Sequence, residues 1–262
     1  MSRKELFTES YSFAPIYLSE SLRPSRKVLE RYRPKQSWFV KPFLTYHGIR
    51  HCAETLVLTE IITNVMPEEN RTQVNRDALR WSAVLHDSHR ICDIELNKHR
   101  HSIQAGLWVL KNKNQLSDLS ESTISAISSI IENHTTYFPD GNSIITDAFS
   151  FGQSIPHEFE LRILQYADSL GEVRGFFADT PFSHLAQTAR SIICHTVNVC
   201  EGSHVTIMQY EQQTTQSKVL RSIAEELIRR DRTDVEINSF YQNDPFGAVL
   251  EAAERINIIR TG

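Results

Sequence analysis

The chain has 262 residues, 40% of them hydrophobic and 23% charged, with 9 Gly and 9 Pro. This is globular composition, and it excludes a collagen-like, low-complexity or wholly disordered chain. The 28 Lys and Arg against 32 Asp and Glu leave a formal charge of -4, which argues against a nucleic-acid coat and against an acidic mimic. At roughly 150 residues per domain the length fits one large unit or two small ones, and it suffices for a core without staples.

The four cysteines, Cys52, Cys92, Cys194 and Cys200, form no CxxC pair. Neither a zinc ribbon nor a disulfide framework is expected. The N-terminal MSRKELFTESYSFAPIYLSE holds no unbroken apolar run, and no apolar run anywhere approaches about 18 residues. The expectation is a cytoplasmic protein with reduced thiols and no membrane partner. The Asn-x-Thr triplets at Asn70 and Asn133 carry no weight in such a compartment.

Residues 1–44 read as a basic N-terminal arm. Between residues 20 and 45, Arg23, Arg26, Lys27, Arg31, Arg33, Lys35 and Lys41 stand against Glu20 and Glu30, so seven minus two gives +5. Pro24, Pro34 and Pro42 interrupt any long helix, leaving one short helix near residues 24–32. The arm reads either as a solvated face or as a lip that attracts a phosphorylated ligand.

Residues 45–180 read as a helical core. Ala53, Leu56, Val57, Ile61 and Val65 form an amphipathic stripe closed by Pro67. Asp77 is the expected cap of the helix ALRWSAVLHD. Ile103, Leu107 and Leu110 repeat at i, i+4, i+7 and predict a core-facing stripe. Ile124, Ile127 and Ile131 form another, started by Ser120 and Glu121. Pro156 precedes a helix carrying Leu161 and Leu164. Residues 138–157 read as a long loop. Residues 181–262 read as a helical extension through KVLRSIAEELIRR and FGAVLEAAERINII. Strand alternation is scarce, so the predicted fold class is all-α, with the three segments forming one continuous unit.

Seven of the 11 histidines lie between residues 47 and 134: His47, His51, His86, His89, His99, His101 and His134. Their positions on the helices are informative. His134 continues the stripe 124, 127, 131, and Asp168 continues 161, 164. His86 and Asp87 end a strongly apolar helix, and His51 opens the stripe that begins at Ala53. An inward Asp carries a large desolvation cost unless a cation or donor offsets it. A single inward His more often bonds a backbone carbonyl, and a single inward Asp more often caps a helix. Several sequence-distant helices aiming His or Asp inward have one common solution, a metal held by facing helices. Imidazole with carboxylate suits zinc, iron, manganese, nickel or cobalt.

YHGIRH (46–51), LHDSHR (85–90), HSIQAG (101–106), ENH (132–134) and LQYADSLGEVR (164–174) resemble, in order and spacing, the HD-domain metal-dependent phosphohydrolase superfamily, small bacterial members especially. The resemblance covers about residues 45–175. It implies an HD-domain helical bundle with His51, His86, Asp87 and Asp168 as primary metal ligands. It also implies His101 and His134 on a second ion bridged by Asp87, or on substrate phosphate in a mononuclear site. One or two divalent ions are implied, of Mn, Fe, Ni, Co, Zn or Mg.

Arg90 takes the family's basic position and would clamp phosphate. Arg174 matches an arginine after the final Asp. His47, four residues before His51, matches the proton donor of related cyclic-nucleotide phosphodiesterases. The chain departs from the pattern at Ser88-His89, where Ile-Gly is common, and at Gly171, where an Asp is common; His89 is a further phosphate-contact candidate. The implied activity is hydrolysis of a phosphate ester, of a nucleotide or short oligonucleotide, with Asp87, His47 and Arg90 at the reaction centre. A regulatory protein that binds metal or nucleotide without turnover and a di-iron oxygenase share the ligand set. A homodimer is compatible with the C-terminal helices.

Overall fold

The computed structural model describes residues 18–44, 47–66, 68–92, 98–135, 157–172, 223–224, 226–227 and 243–262. These are helical, and no β-strand occurs among them; one isolated parallel bridge joins Ser25 to Arg260. The helices are α1 (Arg26–Glu30), α2 (Ile49–Val65), α3 (Glu68–Arg71), α4 (Arg76–Leu85), α5 (Lys98–Lys111), α6 (Glu121–Asn133), α7 (Glu158–Glu172) and α8 (Pro245–Arg255). The all-α expectation holds. The predicted loop at 138–157 falls outside the described residues except His157. No helix among those described is long and apolar enough to cross a membrane.

Helix α2 is the central element. It packs against α4, α7 and α8, while α6 bridges α4 and α5. Residues Ile49 and His51 through Thr63 are all buried, so the helix hides its polar side as well as its apolar stripe. Its polar members are provided for: Thr59 and Thr63 hydroxyls donate back to the carbonyls of Leu56 and Thr59, at 2.8 and 2.7 Å. Glu60, 2% exposed, accepts from Arg80 Nε and a terminal nitrogen at 2.9 and 2.8 Å and from Arg76 at 3.3 Å. A buried carboxylate is tolerable only with such pairing. Tyr32 couples this network to the arm, its hydroxyl donating to Asp77 and accepting from Arg80.

Helix starts follow local chemistry. Ser120 caps α6, its hydroxyl accepting from the Thr123 amide at 3.1 Å. Helix α4 corrects an expectation: the cap is Asn75, whose side chain accepts from Ala78 N–H at 3.1 Å, and not Asp77, which lies in the first turn. Asp77 there still suits the positive end of the helix dipole.

Helix α5 reverses another. Ile103, Leu107 and Leu110 are exposed, and the inward face is His101, Ser102, Ala105, Gly106 and Val109. A Cβ on Gly106 would sit 2.5 Å from Glu132 Cγ and 3.0 Å from Ser128 O. The small-residue face therefore lets α5 lie close to α6, and Ser128 Oγ donates to Gly106 O at 3.1 Å. That close approach brings His101 inward.

The basic arm is only in part a solvated face: Lys27, Arg31, Lys35 and Lys41 are exposed. Leu29, Tyr32, Trp38 and Phe39 are buried. Arg26 pairs with Glu254, Arg33 with Asp244, and Arg23 with the Asn257 side chain. Arg26 N–H donates to Arg260 O and Arg260 N–H to Pro24 O, both at 2.8 Å. The arm is a clasp between the start and the end of the described chain. Its partly exposed ion pairs fix register more than they stabilise.

Candidate metal centre

Two histidines reach the centre by the same local device. His86 is the C-cap of α4 and His134 the C-cap of α6. The last carbonyls of a helix lack intrahelical donors. His86 Nδ1 donates to Ala83 O at 2.9 Å, and His134 Nδ1 donates to Ile131 O at 2.6 Å. Each bond commits Nδ1 and turns Nε2 toward the middle of the bundle, the arrangement that orients metal-binding imidazoles.

His51 comes from the first turn of α2 and Asp168 from α7. Four atoms converge. His51 Nε2 lies 3.3 Å from His86 Nε2, 2.8 Å from Asp168 Oδ1 and 3.7 Å from Asp87 Oδ2. His86 Nε2 lies 3.4 Å from Asp168 Oδ1 and 3.6 Å from Asp87 Oδ2. Bonds of about 2.0–2.2 Å in a tetrahedron place neighbouring ligand atoms about 3.3–3.6 Å apart. The donor set suits a divalent ion in chemistry, three of these five separations fall within that range, and these His and Asp groups could hold an ion.

Asp87 sits between two such groups. His86, Asp87 and His134 offer ligand atoms within 4.8 Å of one another, as do His51, His86 and Asp168, and as do His47, His51 and Asp87. Asp87 Oδ2 faces His47 Nδ1 at 3.0 Å, while Oδ1 faces His101 Nε2 at 3.2 Å and Arg90 at 3.3 Å. The rings of His47, His51, His86, His134 and His101 follow one another with centroids 5.0–5.5 Å apart.

The electrostatics follow from this crowding. Burial alone would raise the Asp87 carboxyl, but His86, His101, His47 and Arg90 over-compensate and hold it well below the carboxylate range. Burial likewise opposes ionisation of Asp168, and His86 and His51 keep it well below that range. Burial disfavours the His86 imidazolium, yet Asp87, Cys52 and Asp168 raise it well above the ordinary histidine value. His134 goes the other way, lowered to about 3 by burial and then by His86 and His101. It is a neutral imidazole with an available lone pair at any physiological pH.

The structure thus brings together His47, His51, His86, Asp87, Arg90, His101, His134 and Asp168. Arg90 is buried and paired with Asp87. His89 lies at the edge, half-buried, with Nδ1 3.1 Å from Ser88 Oγ and its ring 6.2 Å from Trp108. Arg174 and Gly171's side-chain surroundings lie outside what the structure describes.

Sequence reasoning missed the backbone acceptors of Ala83 and Ile131, which no residue type signals. It also missed Cys52, whose Sγ is 4.0 Å from His86 Nδ1. Its position one residue after His51 was the available signal. Comparisons with protein-family models, with curated proteins and with solved structures return no match.

Proposed function

We propose that the chain is a metal-dependent phosphohydrolase of the HD type, cleaving a phosphate ester, with a nucleotide or short oligonucleotide as the substrate class. The observation that carries this reading is the approach of His51 Nε2 and His86 Nε2 to each other and to both Asp87 Oδ2 and Asp168 Oδ1, at 2.8–3.7 Å, from residues that match the superfamily's ligand order. His101 and His134, with Asp87 between them and the first group, support a place for a second ion. A bound divalent ion supplies hydroxide near neutral pH and polarises a phosphoryl oxygen.

The chain's own residues do the rest. The low-lying Asp87 and Asp168 carboxyls are ionised and ready to bind a cation without first losing a proton. Arg90, already beside Asp87, turns a planar donor array toward the equatorial phosphate oxygens. His47 uses Nδ1 on Asp87, which leaves Nε2 to protonate the departing oxygen. The wrapping of the centre by α2, α4, α6 and α7 excludes bulk water and strengthens each of these interactions. The substrate class rests on the resemblance alone, because Arg23, Arg26 and Arg33 of the arm are committed to the clasp.

The test is elemental analysis followed by turnover of aryl phosphate mono- and diesters, nucleotides and short oligonucleotides with manganese, iron, nickel, cobalt or zinc. Hydrolysis that disappears in Asp87→Ala supports the reading. Metal retained with no hydrolysis of any of these, or activity that survives Asp87→Ala, overturns it.

A further inference from the structure

The apolar residues of α5 that point outward ask for a partner. Ile103, Leu107 and Leu110 are 48%, 43% and 45% exposed. The other exposed large apolar residues among those described are Val40, Phe43 and Ile91. All six lie on three segments that touch one another. Val40 N–H donates to Ser88 O at 2.9 Å, His89 packs near Trp108, and Trp38 lies 5.5 Å from Trp108. Singly scattered apolar residues need no explanation, whereas a cluster of this kind marks a contact surface.

Charge identifies what the surface contacts. Residues 35–44 and 98–111 contain no Asp or Glu, yet they carry Lys35, Lys41, Lys98, Arg100 and Lys111 in a chain of net charge -4, with Asp93 and Glu95 the acidic residues of the stretch 88–97. Arg100 and Lys111 are exposed. Positions 100, 103, 107, 110 and 111 share one helical face, so a cation brackets the apolar stripe at each end. A second copy would set these cations against their own kind, which costs affinity. Anionic headgroups over acyl chains present the complementary pattern: an apolar stripe at the headgroup boundary with Lys and Arg on the phosphates is how interfacial helices bind.

We propose that this face seats the protein on an anionic lipid surface, with Ile103, Leu107, Leu110 and the Val40–Phe43 and Ile91 side chains at the headgroup boundary and Arg100, Lys111 and Lys41 on lipid phosphate. The expectation of no membrane partner rested on the lack of a spanning segment, which an interfacial helix does not need. The inference is independent of the metal centre.

The experiment is co-sedimentation of the full chain with vesicles of equimolar phosphatidylglycerol and phosphatidylcholine, and with phosphatidylcholine alone. Binding is expected only to the anionic vesicles and is expected to weaken as salt rises. Each of Arg100→Gln and Lys111→Gln weakens partitioning about fivefold. Leu107→Asp abolishes it while circular dichroism shows the helical fold intact; because Leu107 is exposed, the variant folds, and Leu107→Ser serves if it does not. Failure of the folded wild type to bind anionic vesicles overturns the proposal. So does binding indifferent to these substitutions, or a dimer of the wild type that Leu107→Asp converts to monomer.

Discussion

Acidification of the metal-free protein from pH 6.5 to 5 should destabilise it through His134. This imidazole is lowered to about 3 in the fold, whereas in the unfolded chain it titrates near 6.5. Between those values the unfolded state binds one more proton than the native state. The stability it contributes is therefore present above about pH 6.5 and is lost as pH falls toward 3. One proton over 1.5 pH units corresponds to about 2 kcal/mol at pH 5, or roughly 4–8 °C in Tm for a chain of this size. The physical cause is burial against His86 and His101, with no water to solvate an imidazolium. Urea unfolding in chelator across this range, for wild type and His134→Gln, isolates the term, since Gln keeps a donor for Ile131 O and does not titrate. The wild-type curve should fall below that of the variant on the acid side by about 2 kcal/mol by pH 5. Curves that stay parallel from pH 6.5 to 5 would refute the claim that His134 is held neutral.

Above pH 6.5 the sign reverses for His86. Its folded value is raised well above the ordinary one, so the stability it contributes is full below about pH 6.5 and is lost as pH rises through the folded value; the metal-free protein should weaken there in the same urea series, and Asp168→Asn should reduce that limb. Arg80→Met should cost about 3 kcal/mol in urea unfolding, because it leaves buried Glu60 with Arg76 alone. A cost within about 0.5 kcal/mol, the scale of an ordinary surface change, would contradict the pairing. Gly48→Ala should destabilise by about 1–3 kcal/mol, since its Cβ would meet only backbone, Pro42 O at 2.4 Å and Leu44 O and N at 2.8 and 2.9 Å. Gly106→Ala should cost less, because the Glu132 side chain can swing aside. Cys52 is fully buried and its thiol is pushed up by that burial, so it should react with a thiol reagent only on unfolding. Rapid modification of Cys52 in the native protein would show the centre to be open.

Much of the site was legible because the helices that carry it have one-sided patterns. The Ile124, Ile127, Ile131 series on α6 places His134 inward, and the 161, 164 series on α7 does the same for Asp168. Helix α5 defeated this reasoning. Its inward face is His101, Ser102, Ala105, Gly106 and Val109 while Ile103, Leu107 and Leu110 face out, because α6 approaches so closely that a Cβ at Gly106 would meet Glu132 and Ser128. Apolar periodicity reports which residues dislike water, not which face a neighbouring helix can reach. Helix α2 escaped for another reason: it is buried nearly all round, so its stripe says little about direction, and Glu60 became visible as a core residue only with Arg80 and Arg76 beside it. The arm's charges read as solvated since their partners, Asp244 and Glu254, lie more than 200 positions away in the chain. The Asn75 cap was missed because Asn and Asp two residues apart offer the same capping chemistry.

X-ray absorption at the zinc edge of the zinc-loaded chain tests the central claim most directly. The account predicts a shell of nitrogen and oxygen at about 2.0–2.2 Å with outer-shell scattering from at least two imidazoles, retained in the wild type and lost when His51, His86, Asp87 or Asp168 is replaced by Ala. A sulfur neighbour near about 2.3 Å, a single imidazole, or a shell unchanged by those substitutions would contradict it.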